Sequence, residues 1–159
     1  MNDRLSVIGC GNLNRRDDAA GICVIQLLKQ DFHGRTPPGV CLFDAGTAGM
    51  EVMFQARGSE ALVIVDAVQS GSPPGTVFKV PGEELAACPP PSYNLHDFRW
   101  DHALYAGKQI FGEGFPEEIS VYLIEAADLS LGVGLTFSVE VSVRQVAKQI
   151  RHDIQSFLS

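Results

Sequence analysis

Apolar runs and helical stripes alternate along this chain. The clearest run is Leu62-Val63-Ile64-Val65, four consecutive apolar residues that lead straight into Asp66 and Ala67. Apolarity without alternation is what a central parallel strand needs, because helices cover both of its faces. Leu5-Ser6-Val7-Ile8 and Val40-Cys41-Leu42-Phe43 predict two more such strands. Thr76-Val77-Phe78-Lys79-Val80 predicts an edge strand, and Ile119-Ser120-Val121-Tyr122-Leu123-Ile124 the last strand. Between these runs the apolar residues recur at steps of three and four. Ala20, Cys23, Val24, Leu27 and Leu28 predict a helix over 17–30, and a second follows over 49–56. Phe98, Ala103, Leu104, Ala106 and Ile110 mark one side of a helix over 95–111. Val139, Val143, Val146, Ile150, Ile154 and Phe157 mark one face of a helix over 138–158. Pro89-Pro90-Pro91 cannot be helical and delivers His96 to the start of the third helix. The order predicts a single-domain α/β three-layer sandwich over residues 1–159, with a mostly parallel, twisted sheet of about five strands and helices on both faces.

Composition narrows the class. A chain of 159 residues fits one domain and buries about 70% of the surface its unfolded form exposes. It is 45% hydrophobic and 19% charged, with no apolar run near the roughly 18 residues of a membrane span. Met1-Asn2-Asp3-Arg4 leads directly into a strand-like run, with no basic segment before an apolar one. The expectation is a soluble, cytoplasmic protein without a membrane partner. The net charge of −7 disfavours nucleic acid, and no basic cluster is denser than Arg15-Arg16. Cys10, Cys23, Cys41 and Cys88 lack any Cys-x-x-Cys spacing, so neither a thiolate zinc site nor a redox pair is signalled. The first three lie in or beside apolar segments and read as small hydrophobes, with Cys10 as a nucleophile the alternative.

Candidate chemistry gathers at strand ends. Asp66 falls at the carboxyl end of its strand, where ligand crevices of open α/β sheets lie; its plain alternative is a turn residue. The first strand ends in Gly9-Cys10-Gly11-Asn12, and Asp17 and Asp18 follow in the predicted first helical turn, where negative charge is favoured. One of the two reads as no more than a helix-start residue. Strands one and three open on the same edge, so Asp18 faces Asp66, and His96 enters from the following loop. Two carboxylates and an imidazole suit a borderline divalent metal such as nickel or zinc. The competing reading of His96 is a solvated or core histidine. A dinucleotide site is hinted at by Gly9-Cys10-Gly11 and Asp44, but Asn14 stands where a third glycine belongs. No Gly-Lys-Ser/Thr phosphate loop and no Gly-x-Ser-x-Gly nucleophile turn is present. An aspartic dyad of Asp18 and Asp66 stays open on residue type, without the sequence that surrounds such dyads.

Taken in order, these segments form a recognisable set: Gly9-x-Gly11-Asn12, Asp17-Asp18-x-x-Gly21, Asp44-x-Gly46-Thr47-Ala48-Gly49-Met50-Glu51, Ile64-Val65-Asp66-Ala67, Pro74-Gly75-Thr76 and His96. The chain resembles the [NiFe]-hydrogenase maturation proteases, endopeptidases that remove a C-terminal extension from the hydrogenase large subunit after nickel insertion. The resemblance implies a twisted sheet flanked by helices. It also implies that Asp18, Asp66 and His96 are both the metal-contacting and the catalytic residues. The nickel, or another divalent cation in its place, would arrive with the large-subunit precursor, the implied partner. The alternative is a non-proteolytic nickel-binding assembly or scaffold protein of the same fold. A small-nucleotide-binding α/β protein is a third possibility. Two departures stand out: Asn14-Arg15-Arg16 replaces leucine-rich residues, and Ala19 follows Asp18 where the family often has glycine. The arginines could tune which precursor is accepted.

Overall fold

The computed structural model describes residues 4–86 and 99–159. In those residues the strands are β1 (Leu5–Cys10), β2 (Val40–Gly46), β3 (Ala61–Val68), β4 (Val77–Pro81) and β5 (Glu118–Glu125), and the α-helices are α1 (Ala20–Asp31), α2 (Gly49–Ala56), α3 (Trp100–Phe111) and α4 (Phe137–Leu158). The sheet order is β2-β1-β3-β5-β4. β1 pairs in parallel with β2 and β3, and β3 in parallel with β5. The predicted edge strand is β4, which runs antiparallel to β5.

Alternation along the strands divides the core into two layers. Val7, Val63, Val65 and Ile124 pack with α1 and α4 residues such as Val24, Leu28, Val143 and Ile150. Ile8, Leu62, Ile64 and Val121 pack on the other face with Val52 and Met53 of α2 and Ala103 and Leu104 of α3. Central strands therefore carry apolar side chains on both faces, the pattern that made them legible. The chain leaves β1 for β2 on one side and leaves β3 toward β5 on the other. That reversal makes the β1/β3 carboxyl edge a topological switch point, where ligands of such sheets bind. Among the described residues no helix is long and apolar enough to cross a membrane.

Three expectations need correction. Asp17 and Asp18 are not in the first turn of α1 but in a separate 3-10 turn, Arg16–Ala19, entered through Arg16 at φ +44°. The buried surface of α1 is also wider than the stripe predicted: Ile22 and Ile25 are buried, while Cys23 and Leu27 are only partly so, because the helix is wedged between the sheet and α4. Finally, Arg99 is extended and α3 starts at Trp100 rather than at 95; its buried stripe is Trp100, Ala103, Leu104 and Gly107, leaving Ile110 in the last turn 64% exposed. Residues 95–98, including Phe98, lie outside the described residues, as does the proline run.

Candidate functional site

A cleft of ≈ 450 Å³ opens at the switch point. Cys10 and Gly11 line it from the end of β1, Gly46 and Thr47 from the end of β2, and Asp66 and Gln69 from the end of β3. Asp18 reaches it from the 3-10 turn, and Arg99 and Trp100 from the start of α3.

Two glycines let the Asp18 turn come this close. A Cβ on Gly21 would overlap the carbonyl oxygens of Val65 and Cys10, so α1 can settle onto the ends of β1 and β3 only where there is no side chain. Gly11, at φ +143°, sits under the Asp18 carbonyl in the same way. The turn is held from outside by its neighbour. Asp17 is fully buried, and its carboxylate accepts from the backbone N–H groups of Ala127 (2.9 Å), Asp128 (3.0 Å) and Thr136 (2.8 Å) and from the Thr136 hydroxyl (2.8 Å). Of the adjacent acids, then, Asp17 ties the 127–136 segment to the 3-10 turn, and Asp18 remains for the cleft.

Asp66 is fixed at both oxygens. The Ala67 N–H donates to Oδ1 at 2.8 Å and the Trp100 indole N–H to Oδ2 at 2.7 Å. Burial pushes its carboxyl up to about 7, against the pull of the Trp100 and Ala67 hydrogen bonds; the Asp18 carboxylate adds to the rise and Arg99 opposes it. Burial also raises Asp18, while a backbone hydrogen bond from Asn12 and the charge of Arg15 draw it down. Two acids that each resist ionisation in one cleft are an environment a cation would relieve.

The other candidates sort themselves. Burial first, then the Asp66 and Asp44 carboxylates, push the Cys10 thiol well above its usual range, which disfavours the thiolate a nucleophile needs. Asp44 accepts the Gly46 N–H at 2.8 Å, a local turn rather than a ribose contact. His96 lies outside the described residues. Among the described residues no group of three or more His, Cys, Asp or Glu side chains is placed to hold a metal ion; of the three expected site residues, Asp18 and Asp66 are described and both line the cleft.

Sequence reasoning did not find Trp100 or Glu125. Glu125, at the end of β5, accepts from the Ser70 N–H (2.9 Å) and the Ser70 hydroxyl, which together with the Gly71 and Ser72 N–H groups hold its carboxyl below the usual range. It anchors the loop that follows Gln69. Trp100 did leave a signal: it is the single tryptophan of the chain, four residues after His96.

Fold and cleft together define a doubly wound α/β protein with two carboxylates at its switch point. A family model described as hydrogenase maturation protease matches residues 22–153. Relatives include the hydrogenase 2 maturation protease of Escherichia coli (strain K12), 29% identical over 148 residues spanning 92% of this chain and 88% of the relative. Coenzyme F420 hydrogenase subunit delta of Methanothermobacter thermautotrophicus is 30% identical over 157 residues, 93% of this chain and 92% of that one. The solved structure of the hydrogenase maturating endopeptidase HybD from Escherichia coli superposes with a TM-score of 0.77 at 25% identity, covering 96% of this chain and 93% of that one. The chain belongs to the hydrogenase maturation protease family.

Proposed function

We propose that this protein is the endopeptidase that removes the C-terminal extension of a [NiFe]-hydrogenase large-subunit precursor once nickel is in place. The partner is the precursor, the proposed compartment is the cytoplasm, and the nickel is cargo of the substrate rather than a resident cofactor. The observation that carries the reading is the convergence of Asp18, from the 3-10 turn after β1, and Asp66, from the carboxyl-terminal part of β3, on one cleft at the switch point. Carboxylate oxygens joined by an imidazole suit nickel or a similar divalent cation, and the two half-buried acids, both raised in pKa, form a site that gains by accepting positive charge. In this reading Asp18, Asp66 and His96 contact the precursor's metal and bring the scissile bond beside it. A cation so placed supplies polarisation of a carbonyl or a bound water. A carboxylate of the pair that is not engaged by the metal can instead take the proton of an attacking water as general base.

The test uses intact-mass spectrometry of the precursor, nickel-loaded and nickel-free, after incubation with the protein. Loss of the C-terminal extension from the loaded form alone supports the proposal. No cleavage of any loaded precursor overturns it, and stable binding without cleavage would favour the assembly-scaffold alternative.

A further inference from the structure

Asp66 lies at the end of β3 and cannot be aimed by its own strand alone. Ala67 N–H occupies one carboxylate oxygen; the other is taken by a group from the opposite layer, the Trp100 indole. Trp100 is the first residue of α3, 7% exposed, and its ring belongs to the apolar layer that includes Ile64, Val52, Ala103 and Leu104. That packing fixes the indole, and the indole fixes the carboxylate. An indole N–H can only donate, so it neither competes for a cation nor supplies a lone pair. A carboxylate has about four acceptor sites; two are taken by the donors, one on each oxygen, which stops rotation of the group and leaves the others for whatever enters the cleft.

We propose that Trp100 is a positioning residue of this site: its indole N–H orients the Asp66 carboxylate toward the substrate, and turnover depends on that hydrogen bond as well as on the packing of the ring. The inference rests on the reading of the cleft as the processing site. Outer partners of a ligand or catalytic group commonly contribute 10- to 100-fold in affinity or activity.

The experiment has two arms. In the first, which needs no substrate, the single tryptophan gives one indole ¹⁵N–¹H resonance, so it is assigned without ambiguity. Asp66→Ala is expected to move that resonance upfield and speed its exchange with solvent; an unchanged resonance overturns the Trp100–Asp66 link. In the second, Trp100→Phe keeps an aromatic ring in the layer and removes the donor. With the fold verified by circular dichroism, kcat for precursor cleavage is expected to fall about 10- to 100-fold with KM within about twofold. If that variant does not fold, 3-benzothienylalanine at position 100 keeps the bicyclic shape, replaces N–H by sulfur, and gives the same readout. Wild-type kcat in a folded donor-less variant overturns the proposal. If the wild type itself cleaves no loaded precursor, it is the reading of the cleft that fails, and the resonance arm still decides the positioning bond.

Discussion

Asp17 and Asp18 are neighbours of the same residue type with opposite expected consequences, and replacing each by alanine separates architecture from chemistry. The Asp17 carboxylate accepts four hydrogen bonds, three from backbone N–H groups of the 127–136 segment. Removing it leaves those donors facing a small cavity. An orphaned buried donor costs about 1–3 kcal/mol. With some re-entry of water, we take the total as roughly 3–5 kcal/mol, the range for removing one partner of a buried charged network. For a chain of this size each kcal/mol moves the melting temperature by about 2–4 °C, so Asp17→Ala should melt roughly 6–20 °C below wild type. Asp18, half-buried and aimed into the cleft, carries no such network; Asp18→Ala should stay within about 0.5 kcal/mol of wild type in stability while abolishing precursor processing. Differential scanning calorimetry with a urea melt, checked for two-state behaviour, measures both. A wild-type melt for Asp17→Ala, or a collapse for Asp18→Ala, would refute the division of labour.

Two further predictions follow from the same geometry. Burial raises the Asp66 carboxyl to about 7, so in the metal-free protein its contribution to stability is fully present below the ordinary carboxylate pKa near 3.9 and is lost as pH rises toward 7. That loss is on the order of 4 kcal/mol, and Asp66→Asn escapes it while giving up one of the two hydrogen bonds at about 1–3 kcal/mol. The variant should therefore be more stable than wild type by roughly 1–3 kcal/mol at pH 8, with the order reversing toward pH 4, where wild type keeps the stability it loses at higher pH and the variant still lacks one hydrogen bond; urea melts across that range check it, and a variant less stable at pH 8 would contradict it. Gly21→Ala forces a methyl group against the Val65 and Cys10 carbonyls, which should cost about 1–3 kcal/mol and slow cleavage by displacing the Asp18 turn. Unchanged melting together with unchanged rate would count against the close-approach argument.

Much of this architecture was legible because buried parallel strands write themselves as unbroken apolar runs. Leu62 to Val65 marked β3, and Asp66 followed from it, although the strand runs on two residues further, to Val68. The α4 stripe from Val139 to Ile154 was equally plain, since every third or fourth residue is apolar and all of them are buried. What escaped notice depended on contacts distant in sequence. Nothing local distinguishes Asp17 from Asp18; the choice is made by donors more than 100 residues away. The Trp100 bond to Asp66 spans 34 residues and two layers, and Ile110 fits a helical period on paper while lying outside the stripe that Trp100 and Leu104 set. The pairing of Asp18 with Asp66 was accessible from topology alone, because strand order fixes which ends share an edge.

The most direct measurement of the central claim is a double-mutant comparison of precursor cleavage by wild type, Asp18→Asn, Asp66→Asn and the double variant. If both acids act on one centre of the substrate, each single change should lower the rate about 100-fold or more, and the double variant should be little worse than the weaker single. Losses that multiply independently, or a single variant that processes the precursor at the wild-type rate, would contradict it.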